Sequence, residues 1–262
     1  MRLSIIVPVY NEKATLGRTL AGAASVLAGV DREIIVVDDG SGDGTGAWLD
    51  AHVAPLEGRR PGGLVCDADG VPAPDGPDAP DDAPGVAVCV VRHPANRGKG
   101  AALRTGLAAA GGDVMVIHDA DLEYDPADWA VMWDLIAVRG VADVVFGSRF
   151  YGRPHRALYF HHYMGNRTIS FLFNLLFDQT LTDIEVCTKM FRREVAESLR
   201  LTCDGFGFEV EFSAGVAAAR RWRIYEVGIS YFGRTFEEGK KINWKDGVRA
   251  LFLLFRFRFR RG

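Results

Sequence analysis

Asp119-Ala120-Asp121 is the stretch of this chain with the most chemistry in it. Its two carboxylates, one residue apart, close the apolar run Val114-Met115-Val116-Ile117. Such a run reads as a strand buried on both faces, as in a parallel sheet. Ligands of open α/β sheets sit beyond the carboxyl ends of the strands. An Asp-x-Asp in that position puts hard oxygen donors where a small molecule binds, and hard donors suit Mg²⁺ or Mn²⁺, which bridge to substrate phosphates. Two acids on a solvated turn would leave the same trace, so the motif has to be weighed with the other loops.

Three of those loops carry comparable signals. Pro8-Val9-Tyr10-Asn11-Glu12 follows the first strand; the proline ends the ladder, and Asn11 and Glu12 either cap the next helix or help hold a nucleotide base or ribose. Val37-Asp38-Asp39-Gly40-Ser41-Gly42-Asp43-Gly44-Thr45 follows the second strand. Its glycines permit a tight turn and close ligand approach, and its carboxylates can bond ribose hydroxyls or simply cap a helix. Asn96-Arg97-Gly98-Lys99-Gly100 opens a helix with cations and free N–H groups, which suits an anion or a solvated helix entry equally. The first strand is not followed by G-x-G-x-x-G, and the chain has no G-x-x-x-x-G-K-[ST], which argues against dinucleotide and P-loop folds.

These loops need elements to hold them. Strand patterns at 3–9, 33–37, 86–91, 113–117 and 142–146 alternate with helical patterns at 15–28, 44–52, 98–110 and 126–138. That alternation implies an α/β fold with a mainly parallel central sheet and helices on both faces. Residues 54–85, rich in Pro, Gly and Asp, break the pattern and read as a mobile surface insertion unable to bury enough apolar area. The second half begins with a helix crowded with aromatics at 160–177. Strands at 181–191 and 223–231 extend the sheet, a helix covers 207–219, and 245–257 is a last helix or strand. On a strand, the alternating Phe and Arg from Phe255 to Arg260 would segregate into an apolar face and a basic face.

The chain has 262 residues, 48% hydrophobic and 25% charged, enough for a proper core, and its formal net charge of -3 argues against a nucleic-acid partner. Cys66, Cys89, Cys187 and Cys203 show no metal-ligand spacing, so reduced thiols are expected. The N-terminus lacks signal-peptide flanks, and no apolar run approaches the roughly 20 residues of a membrane span. The expected location is cytoplasmic, with the basic, aromatic tail resting on the cytoplasmic membrane face. A homo-oligomer stays open.

Taken in order, Pro-Val-Tyr-Asn-Glu, Val-Asp-Asp-Gly-Ser, Asn-Arg-Gly-Lys-Gly and Asp-Ala-Asp resemble the family-2 glycosyltransferases, which have the GT-A nucleotide-diphospho-sugar transferase fold. Gly147-Ser148-Arg149-Phe150, the 183–191 run, Phe206-Gly207-Phe208-Glu209-Val210-Glu211 and the 238–247 run resemble the dolichol-phosphate mannose synthase branch and its bacterial polyprenyl-phosphate relatives. Only the 54–85 insertion lies outside the likeness. The chain departs from many relatives at Thr188-Lys189, where they carry Gly-Phe.

The resemblance implies a catalytic domain over 1–232 and a C-terminal flap with a basic tail over 233–262. Asp119 and Asp121 would hold Mg²⁺ or Mn²⁺ against the diphosphate of a nucleotide-sugar donor, with Ala120 and Lys99 beside it. Pro8, Tyr10, Glu12 and Asp39 would form the nucleoside pocket, and Arg234, Lys240 and Lys241 would close over the pyrophosphate. Arg149, with Arg167 and Ser170, would face the acceptor phosphate, and Glu209 and Glu211 would lie near the acceptor. Asp121, Arg149, Glu209 and Glu211 form the expected catalytic set.

The chemistry implied is inverting transfer of a mannose- or glucose-type hexose from a GDP- or UDP-linked donor to a polyprenyl or dolichyl phosphate at a membrane. A phosphate acceptor is largely a dianion at neutral pH, since its second pKa is about 6, and needs no general base. A polysaccharide or small-molecule acceptor is the alternative. From other classes come a silent nucleotide-sugar-binding module, disfavoured by the intact Asp-x-Asp and its cations, and a nucleotidyltransferase, which would release pyrophosphate.

Overall fold

The computed structural model describes residues 1–62, 64–66, 71–80, 83–157, 159–235, 237 and 244–259. Strand β1 (Arg2–Val9) leads into helix α1 (Leu16–Ser25), β2 (Asp31–Asp38) and α2 (Thr45–His52). A ribbon of β3 (Leu64–Cys66) and β4 (Pro72–Pro74) precedes β5 (Val86–Arg92), α3 (Lys99–Ala109), β6 (Val114–Ile117) and α4 (Trp129–Trp133). The chain continues through β7 (Val144–Ser148), α5 (Phe160–Phe177), β8 (Lys189–Arg192) and α6 (Arg193–Ser198), and then α7 (Phe208–Ala219), β9 (Ile224–Gly228) and α8 (Trp244–Phe259).

Seven strands form one sheet in the order β5-β2-β1-β6-β8-β7-β9. Every neighbouring pair is parallel except those made by β8, which runs antiparallel to both β6 and β7. The expected α/β architecture, a mainly parallel sheet covered on both faces, is therefore the one observed. Side chains alternate across the sheet. Ile6, Ile35, Val37, Met115 and Ile117 pack under α3, α5, α7 and α8. Leu3, Ile5, Val7, Ile34, Val36, Val114 and Val116 pack under α1 and α4. Each such fully buried side chain contributes roughly 1.5–3 kcal/mol, so the two cores fix the sheet as a rigid platform for the loops at its carboxyl edge.

Two sequence expectations are corrected and one alternative is resolved. The 181–191 strand shrinks to β8, because the N–H groups of Thr182 and Asp183 donate to the Glu226 carboxylate at 2.8 and 3.1 Å and are lost to any ladder. The 126–138 helix is broken into a 3₁₀ turn, α4 and a π turn over Asp134–Val138. Of the two alternatives for 245–257, helix or strand, the helix is the one observed, so Phe and Arg do not divide between two strand faces. At 100° per residue, Val248, Phe252, Phe255 and Phe259 form one exposed stripe. Ala250, Leu253 and Leu254 face the core, with Phe257 packed against it, and the arginines fall on the flanks.

The 54–85 segment holds more structure than its composition suggests. β3 pairs antiparallel with β4, and Leu56 and Leu64 are buried in the core beneath α1. Arg32, fully buried, donates to the carbonyls of Ala24, Val26 and Gly62 at 2.6, 2.5 and 3.2 Å, tying the insertion to the loop between α1 and β2.

Candidate active site

The carboxyl ends of β1, β2, β6 and β7 open into a cavity of about 940 Å³. Its far wall is built by α5 and by residues 247–251 of α8. Loops from β1 and β2 bring Pro8, Tyr10, Glu12 and Asp39 to one end. The Asp39 carboxylate accepts from His93 Nδ1 (2.6 Å), Arg97 N (3.0 Å) and Gly98 N (2.7 Å). It therefore organises the loop that leads into α3. Gly98 has φ +98°, and a Cβ there would stand 2.3 Å from the carbonyl oxygen of Asp204, so only glycine lets this loop sit against the 203–205 backbone. The result is that Lys99, the first residue of α3, points into the cavity.

Lys99 Nζ lies 2.8 Å from Oδ1 and 2.9 Å from Oδ2 of Asp119. Burial keeps the Cys187 thiol protonated, and it donates to the same carboxylate. Arg234 gathers three more acids: its Nη2 is 2.9 Å from Asp121 and 3.5 Å from Glu12, and its Nε is 3.3 Å from Glu123. Burial, reinforced by the charges of Asp119 and Glu123, pushes the Asp121 carboxyl up to about 7. Two buried carboxylates that repel one another in this way are a fit for a divalent cation, whose charge relieves the repulsion. Among the described residues no group of three or more His, Cys, Asp or Glu converges on one point. An Mg²⁺ or Mn²⁺ held by these two hard oxygen donors would take its remaining ligands from phosphate and water.

Opposite this pair, Arg149 at the end of β7 donates from Nε and Nη2 to Asp183 at 2.7 and 2.8 Å. Asp183 is completely buried, so this bidentate pair fixes the guanidinium plane. The rings of Phe150 and Tyr231 flank it at 5.5 and 5.4 Å. Glu209, in the first turn of α7, receives Lys189 Nζ at 2.6 Å and Lys99 at 3.4 Å.

Of the residues singled out from sequence, the structure gathers Pro8, Tyr10, Glu12, Asp39, Lys99, Asp119, Ala120, Asp121, Arg149, Glu209 and Arg234 around one cavity. Three others stand elsewhere. Glu211 caps the 202–203 turn, accepting from Thr202 N and Oγ1 and from Cys203 N at 2.7–2.8 Å. Arg167 turns to the Thr182 carbonyl at 3.5 Å, and Ser170, buried, accepts from Ile184 N at 3.3 Å. On α5 the cavity is lined instead by His161, His162, Met164, Gly165, Asn166, Thr168 and Ile169. Lys240 and Lys241 lie outside the described residues. Sequence reasoning passed over Glu123, Tyr124, Glu185, Cys187 and Tyr231, all of which line the cavity. Glu123 could have been found from its place two residues after Asp121. His118 is a packing residue, edge-on to Trp129 at 5.0 Å between ring centroids.

The description "Glycosyl transferase family 2" belongs to the family model that matches residues 4–62 and 83–200. A dolichol-phosphate mannosyltransferase of Pyrococcus furiosus is 31% identical over 151 residues, 57% of this chain and 34% of that protein. The match therefore spans about a third of that relative's length. An undecaprenyl-phosphate mannosyltransferase of Micrococcus luteus is 28% identical over 250 residues, covering 92% of this chain and 87% of the relative. Among solved structures, glucosyl-3-phosphoglycerate synthase of Mycobacterium tuberculosis, bound to Mn²⁺, UDP and glucosyl-3-phosphoglycerate, superposes with a TM-score of 0.62 at 21% identity. That likeness covers 98% of this chain and 79% of the other; it speaks for the fold.

Proposed function

The chain belongs to glycosyl transferase family 2, and on that premise we propose that it moves a mannose- or glucose-type hexose from a GDP- or UDP-linked donor to a polyprenyl or dolichyl phosphate, with inversion. The observation that carries this reading is the convergence of Asp119 and Asp121 on the same cavity as Arg149. One wall of that cavity suits a metal-bound diphosphate, and the other suits a second anion. The names of the relatives from Pyrococcus furiosus and Micrococcus luteus support a lipid-phosphate acceptor.

In this reading Asp119 and Asp121 would hold Mg²⁺ or Mn²⁺, which would supply Lewis-acid neutralisation of the leaving diphosphate. Lys99 and Arg234 stand beside those carboxylates and add fixed positive charge as the C1–O bond of the donor breaks. Glu12 and Tyr10 border the nucleoside end. Arg149, its plane locked by Asp183, receives the acceptor anion. Residues 233–262 act as the flap over the donor, with Arg234 as its inner clasp.

Both helices of the cavity's far wall, α5 and α8, carry exposed apolar stripes, Phe160, Met164, Phe171 and Leu175 on one and Val248, Phe252, Phe255 and Phe259 on the other. No described helix is long and apolar enough to cross a membrane. We place these stripes against a bilayer surface, flanked by Arg256 and Arg258 toward anionic headgroups.

The test is transfer of radiolabelled hexose from GDP-mannose or UDP-glucose to undecaprenyl phosphate in detergent. Label extracted into organic solvent supports the reading. Label that enters only a water-soluble product overturns the lipid acceptor while keeping the donor.

A further inference from the structure

Lys189 opens β8 at one of the two positions where the chain departs from many relatives, and the departure puts a charge in the core. Its side chain is completely buried. The ammonium donates to the Val186 carbonyl and to Oε2 of Glu209, the latter at 2.6 Å, and stands 5.6 Å from the centre of the Phe146 ring. Burying an ammonium is unfavourable unless it is paired and hydrogen-bonded. Glu209 is that pair, yet no step of the proposed transfer uses either group.

Glu209 faces two ammonium groups. Its Oε2 belongs to Lys189, and its Oε1 is buried without a hydrogen bond. Lys99 Nζ lies 3.4 Å from that Oε1, and 2.8 and 2.9 Å from the two oxygens of Asp119. Lys189, Glu209, Lys99 and Asp119 thus form a row of alternating charge that runs from the core to the Asp-x-Asp. The start of β8 fixes the row at both ends. The Cys187 thiol donates to Asp119, and Lys189, two residues on, ties Glu209.

We infer that Lys189 is a positioning residue: by occupying Glu209 it leaves the Lys99 ammonium to Asp119 and to the donor diphosphate. The inference rests on the glycosyl-transfer reading, which puts the diphosphate beside Lys99, and deepens it. Two carboxylates lie within reach of one ammonium, in surroundings where charges act strongly on one another. With Lys189 against it, Glu209 is already neutralised and draws weakly on Lys99. Without that charge, Glu209 becomes the rival of Asp119 and pulls Lys99 back from the donor. With Glu209 itself neutral, no rival exists and Lys189 has nothing left to restrain.

The test titrates GDP and UDP calorimetrically, with Mn²⁺, into chains carrying either Lys99 or Lys99→Met. The ratio of the two affinities is the contribution of Lys99. In the wild-type background it should be about tenfold, as for one charge facing a diphosphate. In Lys189→Gln it should fall below about threefold, because Glu209 now competes for the ammonium. Lys189→Arg keeps a cation on Glu209 and should keep most of the ratio. In Glu209→Gln, and in the double variant Lys189→Gln/Glu209→Gln, the ratio should reach about thirtyfold, since all of the Lys99 charge then faces Asp119 and the donor. A lysine that only supported the core would shift the melting temperature and leave the ratio untouched, because independent substitutions add. The double variant leaves no buried charge unpaired and decides the matter if a single variant does not fold. A wild-type ratio in any folded variant other than Lys189→Arg overturns the assignment. So does Lys99→Met without effect in the wild-type background, or a double variant that cannot fold, which would make the pair a support of the core alone. A wild-type chain that binds neither nucleotide overturns the functional reading itself, an outcome visible before any variant is made.

Discussion

Arg234 Nη2 lies 2.9 Å from Oδ2 of Asp121. A side chain far along the sequence therefore neutralises half of the Asp-x-Asp pair, in the place where a divalent ion's charge would act. In the proposed metal-dependent reading, Arg234 and the ion would compete for one carboxylate, and donor binding would have to redistribute them.

That competition gives the first prediction. In Arg234→Gln, Mn²⁺ added without nucleotide should bind several-fold tighter than to wild type, because Asp121, Glu12 and Glu123 lose their shared cation. Nucleoside diphosphate binding in the presence of Mn²⁺ should weaken about tenfold as a phosphate-facing charge is lost. Calorimetric titration reads both. Tighter nucleotide binding in the variant would show that Arg234 obstructs the donor.

The pair formed by Arg149 and Asp183 makes a stability prediction. Asp183 is fully buried and Arg149 nearly so, and removing one partner of such a pair strands the other's charge, at about 3–5 kcal/mol. Asp183→Ala should lower the urea midpoint accordingly. A change under about 1 kcal/mol would mean that water or another group rescues Arg149.

Much of this arrangement was legible beforehand. Strands β1, β2 and β6 announce themselves as unbroken apolar runs because both faces are covered, and the loops after them carry Asp39, Asp119 and Asp121. Partners chosen across the fold were not legible. Glu211 shares its helix turn with Glu209, but only the tertiary path of 202–203 decides that it caps a turn. Arg167 and Ser170 follow Asn166 on α5, and helix rotation alone selects Asn166 for the cavity. The 181–188 stretch is apolar enough for a strand, yet the distant Glu226 claims its backbone donors. Glu185 carried no signal beyond being acidic; that it lines the cavity is visible only in three dimensions.

His118 sets an acid limit on stability. Burial drops its pKa to about 4 from an ordinary 6.5. Between those values the unfolded chain binds a proton that the folded chain refuses, so stability is whole above pH 6.5 and declines as pH falls toward 4. The full loss is about 3 kcal/mol. His118→Phe should flatten this part of the profile in urea unfolding followed from pH 4 to 7. An unchanged slope would assign the acid limb to other groups.

Docking on a bilayer makes a surface prediction. Phe252 and Phe255 are 67% and 45% exposed on the outer stripe of α8. The double variant Phe252→Ser/Phe255→Ser should sediment several-fold less with vesicles containing phosphatidylglycerol, while keeping its melting temperature and its affinity for nucleotide. Undiminished sedimentation would remove α8 from the membrane contact.

Calorimetric titration of GDP and UDP into wild type and Asp121→Asn, with and without Mn²⁺, tests the central claim most directly. At least one nucleotide should bind wild type tenfold or more tightly with Mn²⁺ present, and folded Asp121→Asn should lose that gain. Affinities indifferent to Mn²⁺ in wild type, or a gain that survives in Asp121→Asn, would contradict it.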